Sequence, residues 1–168
     1  MTVQDILTLF EYDAWATART LESVSAIAEE VYLRDLNSSH GGIHGTLVHL
    51  YSADRIWMQR WRGNAGARHV TTDEIPALGL LRTRWSDYRD DLEGYLADLT
   101  ESALDAPLSY NDMRGNRHAE PLVQQMLQVT NHATYHRGQV VTMLRQVKGK
   151  PAATDLIAFF RMKQGDTA

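Results

Sequence analysis

Four long stretches of this 168-residue chain repeat their apolar residues at helical spacing, and this pattern restricts the fold more than any other feature of the sequence. They cover residues 3–27, residues 43–62, a third stretch from about 76 to 99, and a fourth from 121 to about 147. Each predicted helix has one apolar face to bury, and four such faces can cover one another around a common core. We therefore predict an all-α fold, a four-helix bundle formed by one domain spanning residues 1–168.

Local signals mark the ends of the predicted helices. Thr2 is suited to cap the first helix, and residues 71–74 resemble a capping box for the third, with Pro76 in its first turn. Between residues 102 and 120 the helical pattern stops, and turn-forming residues there predict a small hairpin or an ordered loop before the last long helix. A short extra C-terminal helix is expected within residues 154–162.

The composition excludes several classes of function. The formal net charge is −4, and Lys and Arg do not cluster with aromatic residues, so the sequence disfavours nucleic-acid binding. No stretch approaches the roughly 20 apolar residues of a membrane span, and the N-terminus does not resemble a signal peptide, so we expect a cytoplasmic protein. The chain has no cysteine, so any metal must be held by nitrogen and oxygen ligands.

His132 and His136 lie four residues apart in the fourth predicted helix. Four residues turn through roughly 400°, so both imidazoles leave the same helix face, one turn apart. His136 falls on the apolar stripe of the helix, and His132 lies at its edge. A buried histidine is more often a hydrogen-bonded core residue than a ligand, but a metal ion can serve both imidazoles as one shared partner.

His49, on the apolar arc of the second predicted helix, offers a third nitrogen. If the second and fourth helices face each other, His49 lies opposite His132 and His136. Three neutral imidazoles bind Zn²⁺, Ni²⁺ or Fe²⁺ and leave at least one position for water or substrate. The spacing alone leaves the alternative of three ordinary core histidines open.

The other histidines are expected outside this site. His40 and His44 lie on either side of two glycines at a helix start, and His44 is rotated by about 140° from His49 on the helix. We therefore expect His40 and His44 to be loop and helix-N-terminal residues. His69 and His118 are expected in solvated loops, although His118 could border the mouth of a site.

Three short motifs occur in the order, and at the helix positions, of a known family. They are Phe-Glu-Tyr-Asp-Ala-Trp-Ala at 10–16, Ile-His-Gly-Thr-Leu-Val-His at 43–49, and His-Ala-Thr-Tyr-His-Arg-Gly-Gln at 132–139. They resemble, in turn, the first-helix signature, the second-helix ligand motif and the last motif of the DinB-like (YfiT-like) family of four-helix-bundle proteins. Residues 154–156 resemble its C-terminal segment, so the resemblance covers nearly the whole chain.

The resemblance implies a divalent metal held by His49, His132 and His136. Zinc and nickel are the metals it favours, with iron and manganese as further candidates. It also implies chemistry on a small-molecule substrate, because characterised relatives include transferases and isomerases that use a low-molecular-weight thiol such as glutathione, mycothiol or bacillithiol. Homodimers recur in the family. One fold hosts several activities, so membership does not determine the reaction.

Two hypotheses about function follow. The first is a metal-dependent enzyme, either a thiol-dependent transferase or a hydrolase, whose candidate catalytic neighbours are Asp54, Arg137 and Gln139. Gln139 follows His136 by three residues and could orient it, whereas Asp54 and Arg137 could instead form interhelical salt bridges. The second hypothesis is a non-catalytic metal-binding protein with a role in stress response or interaction. An open metal position facing a cavity would favour the enzyme.

Overall fold

The computed structural model describes residues 1–64 and 67–165. Within these ranges the chain is mostly helical, with seven helices and one small antiparallel sheet of two strands. None of the described helices is both long and apolar enough to cross a membrane. In chain order the elements are α1 (Val3–Ser25), α2 (Glu29–Tyr32), α3 (Ile43–Trp61), α4 (Leu78–Ala97), α5 (Glu101–Asp105), β1 (Pro107–Asn111), β2 (Arg117–Pro121), α6 (Leu122–Gln146) and α7 (Leu156–Lys163).

The four long helices α1, α3, α4 and α6 coincide with the four predicted stretches, which confirms a mostly helical chain. The helix α6 packs against both α1 and α3, and α4 packs against the same two helices. Their apolar stripes meet in the larger core, where Leu47 of α3, Leu81 of α4 and Val140 of α6 are fully buried. Each such side chain contributes about 1.5–3 kcal/mol by leaving water. The contact between α3 and α6 is the one that positions the histidines.

Residues 107–121 form the predicted hairpin, although residues 102–105, where no helix was expected, belong to α5, so the description as purely all-α is incomplete. The carboxylate of Asp112 accepts hydrogen bonds from the backbone N–H groups of Arg114 (2.8 Å) and Asn116 (2.9 Å). Gly115 adopts a φ of 85°, which favours glycine. These features close the turn between β1 and β2. The short helices α2 and α5 were not predicted, because one turn of helix is too short to show an apolar repeat.

The helix starts differ in one place from the prediction. Thr2 caps α1 as predicted, but α4 begins at Leu78 without a side-chain cap. The Glu74 carboxylate instead accepts a hydrogen bond from the N–H of Thr71 (3.0 Å) and closes a separate turn. Pro76 disfavours helical conformation in the residue before it, so the helix starts only beyond the proline.

Candidate metal centre

Five of the seven histidines gather where α3 passes α6. His49 lies on α3, and His132 and His136 lie one turn apart on α6, as the spacing predicts. His40 comes from the loop before α3, and His69 comes from the segment that follows it. We call these five residues the histidine cluster.

The three histidines predicted as ligands direct their Nε2 atoms towards one another. The Nε2 of His132 lies 3.0 Å from that of His136 and 3.3 Å from that of His49. Two nitrogens bound to one zinc ion at about 2.0–2.1 Å with tetrahedral angles are separated by about 3.3 Å. The donor set therefore fits a divalent metal both in spacing and in chemical type.

Gln139 contacts the ring nitrogen of His136 that is directed away from His132. Its Oε1 lies 2.8 Å from Nδ1 of His136, and an amide oxygen can only accept a hydrogen bond. The proton of this imidazole is therefore on Nδ1, and the lone pair on Nε2 faces His132. A hydrogen bond of this kind, made by the ring nitrogen that does not bind the metal, usually orients a metal-binding histidine.

Burial keeps the imidazoles neutral. It lowers the pKa of His49 to about 3 and that of His132 to about 4, and the neighbouring imidazoles lower both pKa values further. Burial also lowers the pKa of His136, partly offset by the hydrogen bond to Gln139. A neutral imidazole keeps the lone pair that a metal requires, so these environments favour metal binding over protonation.

His40 lies in a loop, as predicted, but the expectation that it stays outside the site is wrong. Its ring stacks on that of His49, with centroids 3.9 Å apart and an interplanar angle of 13°. Gly41, at a φ of 79°, turns the chain towards α3. Gly45 allows the close approach, because a Cβ there would come within 1.9 Å of the His40 carbonyl oxygen. These glycines were the signal in the sequence that could have revealed His40.

His69 is exposed, as predicted, yet it is held at the edge of the histidine cluster. The hydroxyl of Ser52 accepts a hydrogen bond from the N–H of Val70 (2.9 Å) and lies 3.0 Å from Nδ1 of His69. The His69 ring is 6.0 Å from that of His49, at an angle of 26°. Ser52 therefore fixes the position of this imidazole.

His44 and His118 lie outside the histidine cluster, as the sequence predicts. Nε2 of His44 is 2.7 Å from the carbonyl oxygen of Ile75, so this side chain ties α3 to the segment before α4. His118, which was expected in a solvated loop, is half-buried on β2, where Nε2 is 3.2 Å from a carboxylate oxygen of Asp112 and the ring stacks on Tyr110. Both imidazoles have partners elsewhere in the fold.

Two of the candidate catalytic neighbours, Asp54 and Arg137, lie with Asp13 of α1. Arg137 is 2% exposed, forms an ion pair with Asp13 and donates to the hydroxyl of Thr17 (3.3 Å). Asp54 is equally buried, and burial and the charge of Asp13 raise the pKa of its carboxyl well above the ordinary range. In the described part of the chain neither residue has a hydrogen bond to a histidine. Arg137 thus forms the interhelical salt bridge that was its alternative role.

A cavity opens near each end of α3. One of about 360 Å³ opens beside His40 and His44 and extends to Pro76. The other, about 600 Å³, lies between the end of α3 and the hairpin, where Arg60 and Tyr110 line it. The smaller cavity is in the size range of small-molecule sites and adjoins the histidine cluster.

Comparison with known proteins confirms the family predicted from the motifs. The sequence model of the DinB family matches residues 1–167. The chain belongs to the DinB family. Protein DinB of Bacillus subtilis strain 168 is 25% identical over 170 residues, which cover 95% of this chain and 96% of that protein. The crystal structure of a DinB-like protein from Bacillus cereus ATCC 10987 aligns with a TM-score of 0.62 and 18% identity, covering 90% of this chain and 97% of that chain. At that identity the likeness shows that this DinB-family chain shares the fold.

Proposed function

We propose that this DinB-family chain binds one divalent metal ion through His49, His132 and His136. The convergence of their Nε2 atoms supports this proposal most strongly. A proton on Nε2 of His132 can be donated fully to only one of its two neighbours. One close contact between nitrogen atoms therefore lacks a hydrogen bond, and a cation would satisfy all three lone pairs at once. We also propose that the four long helices form the predicted four-helix bundle as a single domain.

Zinc or nickel suits three imidazoles best. A metal of this kind, when bound, lowers the pKa of coordinated water or holds a thiol as the thiolate. The protein would contribute the orientation of His136 through Gln139 and the neutral state of all three rings through burial. Iron and manganese remain weaker candidates.

We propose further that the chain is a metal-dependent enzyme acting on a small molecule, as a thiol-dependent transferase in preference to a hydrolase. A hydrolase needs a general base near the metal. Among the described residues no carboxylate hydrogen-bonds to the histidine cluster, and Asp54 lies with Asp13 instead. In a thiol-dependent transferase the nucleophile is the sulfur of the thiol. This thiol must belong to a second molecule, because the chain has no cysteine. The family resemblance supports a homodimer, and the cytoplasm stays the location predicted from the sequence.

Metal content tests the first part of this proposal. The purified protein, loaded with Zn²⁺ or Ni²⁺ and dialysed, should retain about one equivalent. His132→Ala and His136→Ala should retain little, whereas His118→Ala removes a histidine outside the cluster and should match the wild type. Full metal content in His136→Ala would contradict the three-histidine site.

Activity tests the second part. The metal-loaded protein should conjugate glutathione, mycothiol or bacillithiol to an electrophile from a panel, and chelation should abolish the reaction. Ester and amide substrates in parallel would detect a hydrolase. Inactivity in both panels would favour the second candidate, a metal-binding stress or interaction protein without turnover. One observation favours that candidate: His40 places a fourth imidazole where it could close the site.

A further inference from the structure

His40 lies close enough to the proposed metal ligands to do more than stack on the ring of His49. We infer that His40 is a fourth nitrogen ligand of the metal, an inference that rests on the metal site proposed above. One ligand nitrogen from each of His40, His49 and His136 lies within 4.8 Å of the other two. His132 adds its Nε2 at 3.0 Å from His136. Because the His40 ring is stacked on that of His49, it must turn out of the stack for both rings to direct a nitrogen at the same ion.

The loop before α3 holds His40 in place through its backbone. The carbonyl oxygen of Gly41 accepts a hydrogen bond from the N–H of Leu36 (2.7 Å), and that of His40 accepts one from Gly42 (3.0 Å). Gly45 lets the His40 carbonyl rest against the first turn of the helix, where any Cβ would collide with it. The side chain therefore starts from a fixed backbone, as a ligand must.

The His40 imidazole is also chemically available. Within residues 1–64 and 67–165 its ring nitrogens make no hydrogen bond, although the ring is half-buried. No hydrogen bond within the described residues therefore has to be broken before a ring nitrogen of His40 binds a metal.

A four-nitrogen site would change how the centre works. His40 would occupy the position that a thiol or water otherwise takes, so an incoming ligand would have to displace His40 or join it. The cavity of about 360 Å³ beside His40 gives the displaced ring room to move. His40 would then control access to the site.

The competing explanation is that His40 only supports His49 by stacking. A phenylalanine at position 40 would retain the stacked ring but offer no nitrogen. His40→Phe therefore separates the two roles, and His40→Ala removes both. His118→Ala serves as the matched control, because that histidine lies on the hairpin with Asp112 as its partner.

The experiment titrates the metal-free full chain with Co²⁺ and with Zn²⁺. We expect wild type and His118→Ala to show the intense visible absorption of four-coordinate Co²⁺. We expect His40→Phe and His40→Ala to show a shifted Co²⁺ spectrum, because water replaces one nitrogen ligand, and to bind Zn²⁺ at least about tenfold more weakly. Circular dichroism of the metal-free variants verifies that each is folded.

A measurement on the unmodified protein makes the test independent of folding. X-ray absorption of the Zn²⁺-loaded wild type should count four imidazole ligands, and a count of three would overturn the role of His40. If His40→Phe showed the wild-type Zn²⁺ affinity and Co²⁺ spectrum, the role of His40 as a ligand would also be overturned. The proposal of the three-histidine site would be unaffected. A wild type that binds neither metal would refute both proposals.

Discussion

His136 and Arg137 are neighbours on α6, yet they belong to two buried polar regions with opposite characters. Successive helical residues point about 100° apart, so His136 enters the histidine cluster while Arg137 turns towards α1. There it joins Asp13 and Asp54 in what we call the ionic cluster. One region gathers neutral rings, and the other is built around the ion pair of Arg137 with Asp13.

The two regions differ in how their polar atoms are satisfied. The Arg137 guanidinium donates to Asp13, to Thr17 and to Thr134, so the protein itself supplies its partners. In the histidine cluster the Nε2 atom of His132 has, among the residues described, only other ring nitrogens as its partners. Buried polar groups that the chain satisfies by itself stabilise the fold, whereas convergent groups without such partners are suited to hold a ligand.

The largest expected effect comes from breaking the ionic cluster. Arg137→Met should lower the free energy of unfolding of the metal-free protein by about 3–5 kcal/mol, because it leaves the Asp13 carboxylate without its counter-charge. Urea denaturation measures this change. His132→Ala in the same metal-free state should lose less than about 1 kcal/mol, since its ring is half-buried and only one of many contacts. Equal losses would remove the distinction between the two regions.

Metal should stabilise the protein only through the histidine cluster. At a free Zn²⁺ concentration about 100 times the dissociation constant, the free energy of unfolding should rise by about 2.7 kcal/mol over the chelated protein. His132→Ala should show no such increment. Arg137→Met should retain it, although its starting stability is lower. Loss of the increment in Arg137→Met would show that the two regions are not independent.

A smaller effect is expected from the hydrogen bond behind His136. Gln139→Leu removes the acceptor of the Nδ1 proton while leaving every ligand in place. The Zn²⁺ affinity should fall about tenfold, or about 1.4 kcal/mol. Competition with a chromophoric chelator measures the affinity. Gln128→Leu, at an exposed position of the same helix, is the control and should bind as the wild type does.

Much of this arrangement could be predicted because it follows from local periodicity. The apolar repeat located α1, α3, α4 and α6 to within a few residues, and the spacing of His132 and His136 placed both on one face. The position of His49 on an apolar arc predicted that it would face the pair if the second and fourth helices met, and the α3–α6 contact meets that condition. In each case a helix repeats its geometry along the sequence, so the positions of side chains are determined locally.

The remaining features depend on contacts between distant segments. The ion pair between Asp13 and Arg137 joins residues 124 positions apart, and no periodic signal links them. The stacking of His40 depends on a loop whose path is set by Gly41 and by the space at Gly45. Packing between distant segments determines turn conformations and close backbone approaches of this kind. In a single sequence, glycines are the signal that indicates where they occur.

The smallest expected effect concerns Asp54 of the ionic cluster, and it depends on pH. Its carboxyl is buried, Oδ1 has no hydrogen-bond partner among the described residues, and burial together with the charge of Asp13 raises its pKa. A carboxyl with a raised pKa in the folded state contributes stability below its unfolded pKa of about 3.9, and that contribution is lost as the pH rises through the folded pKa.

Asp54→Asn carries no charge at any pH, so it should escape this loss. Its free energy of unfolding should equal that of the wild type near pH 4 and exceed it by about 1 kcal/mol at pH 7.5. Urea denaturation at the two pH values measures the difference. Asp90→Asn, at an exposed position of α4, should show no comparable change between them. If the free energy of unfolding of Asp54→Asn did not exceed that of the wild type at pH 7.5, the ionic cluster would stabilise the Asp54 carboxylate as well as it stabilises the Arg137 guanidinium. The ionic cluster would then satisfy all its buried charges within the protein, unlike the ring nitrogens of the histidine cluster.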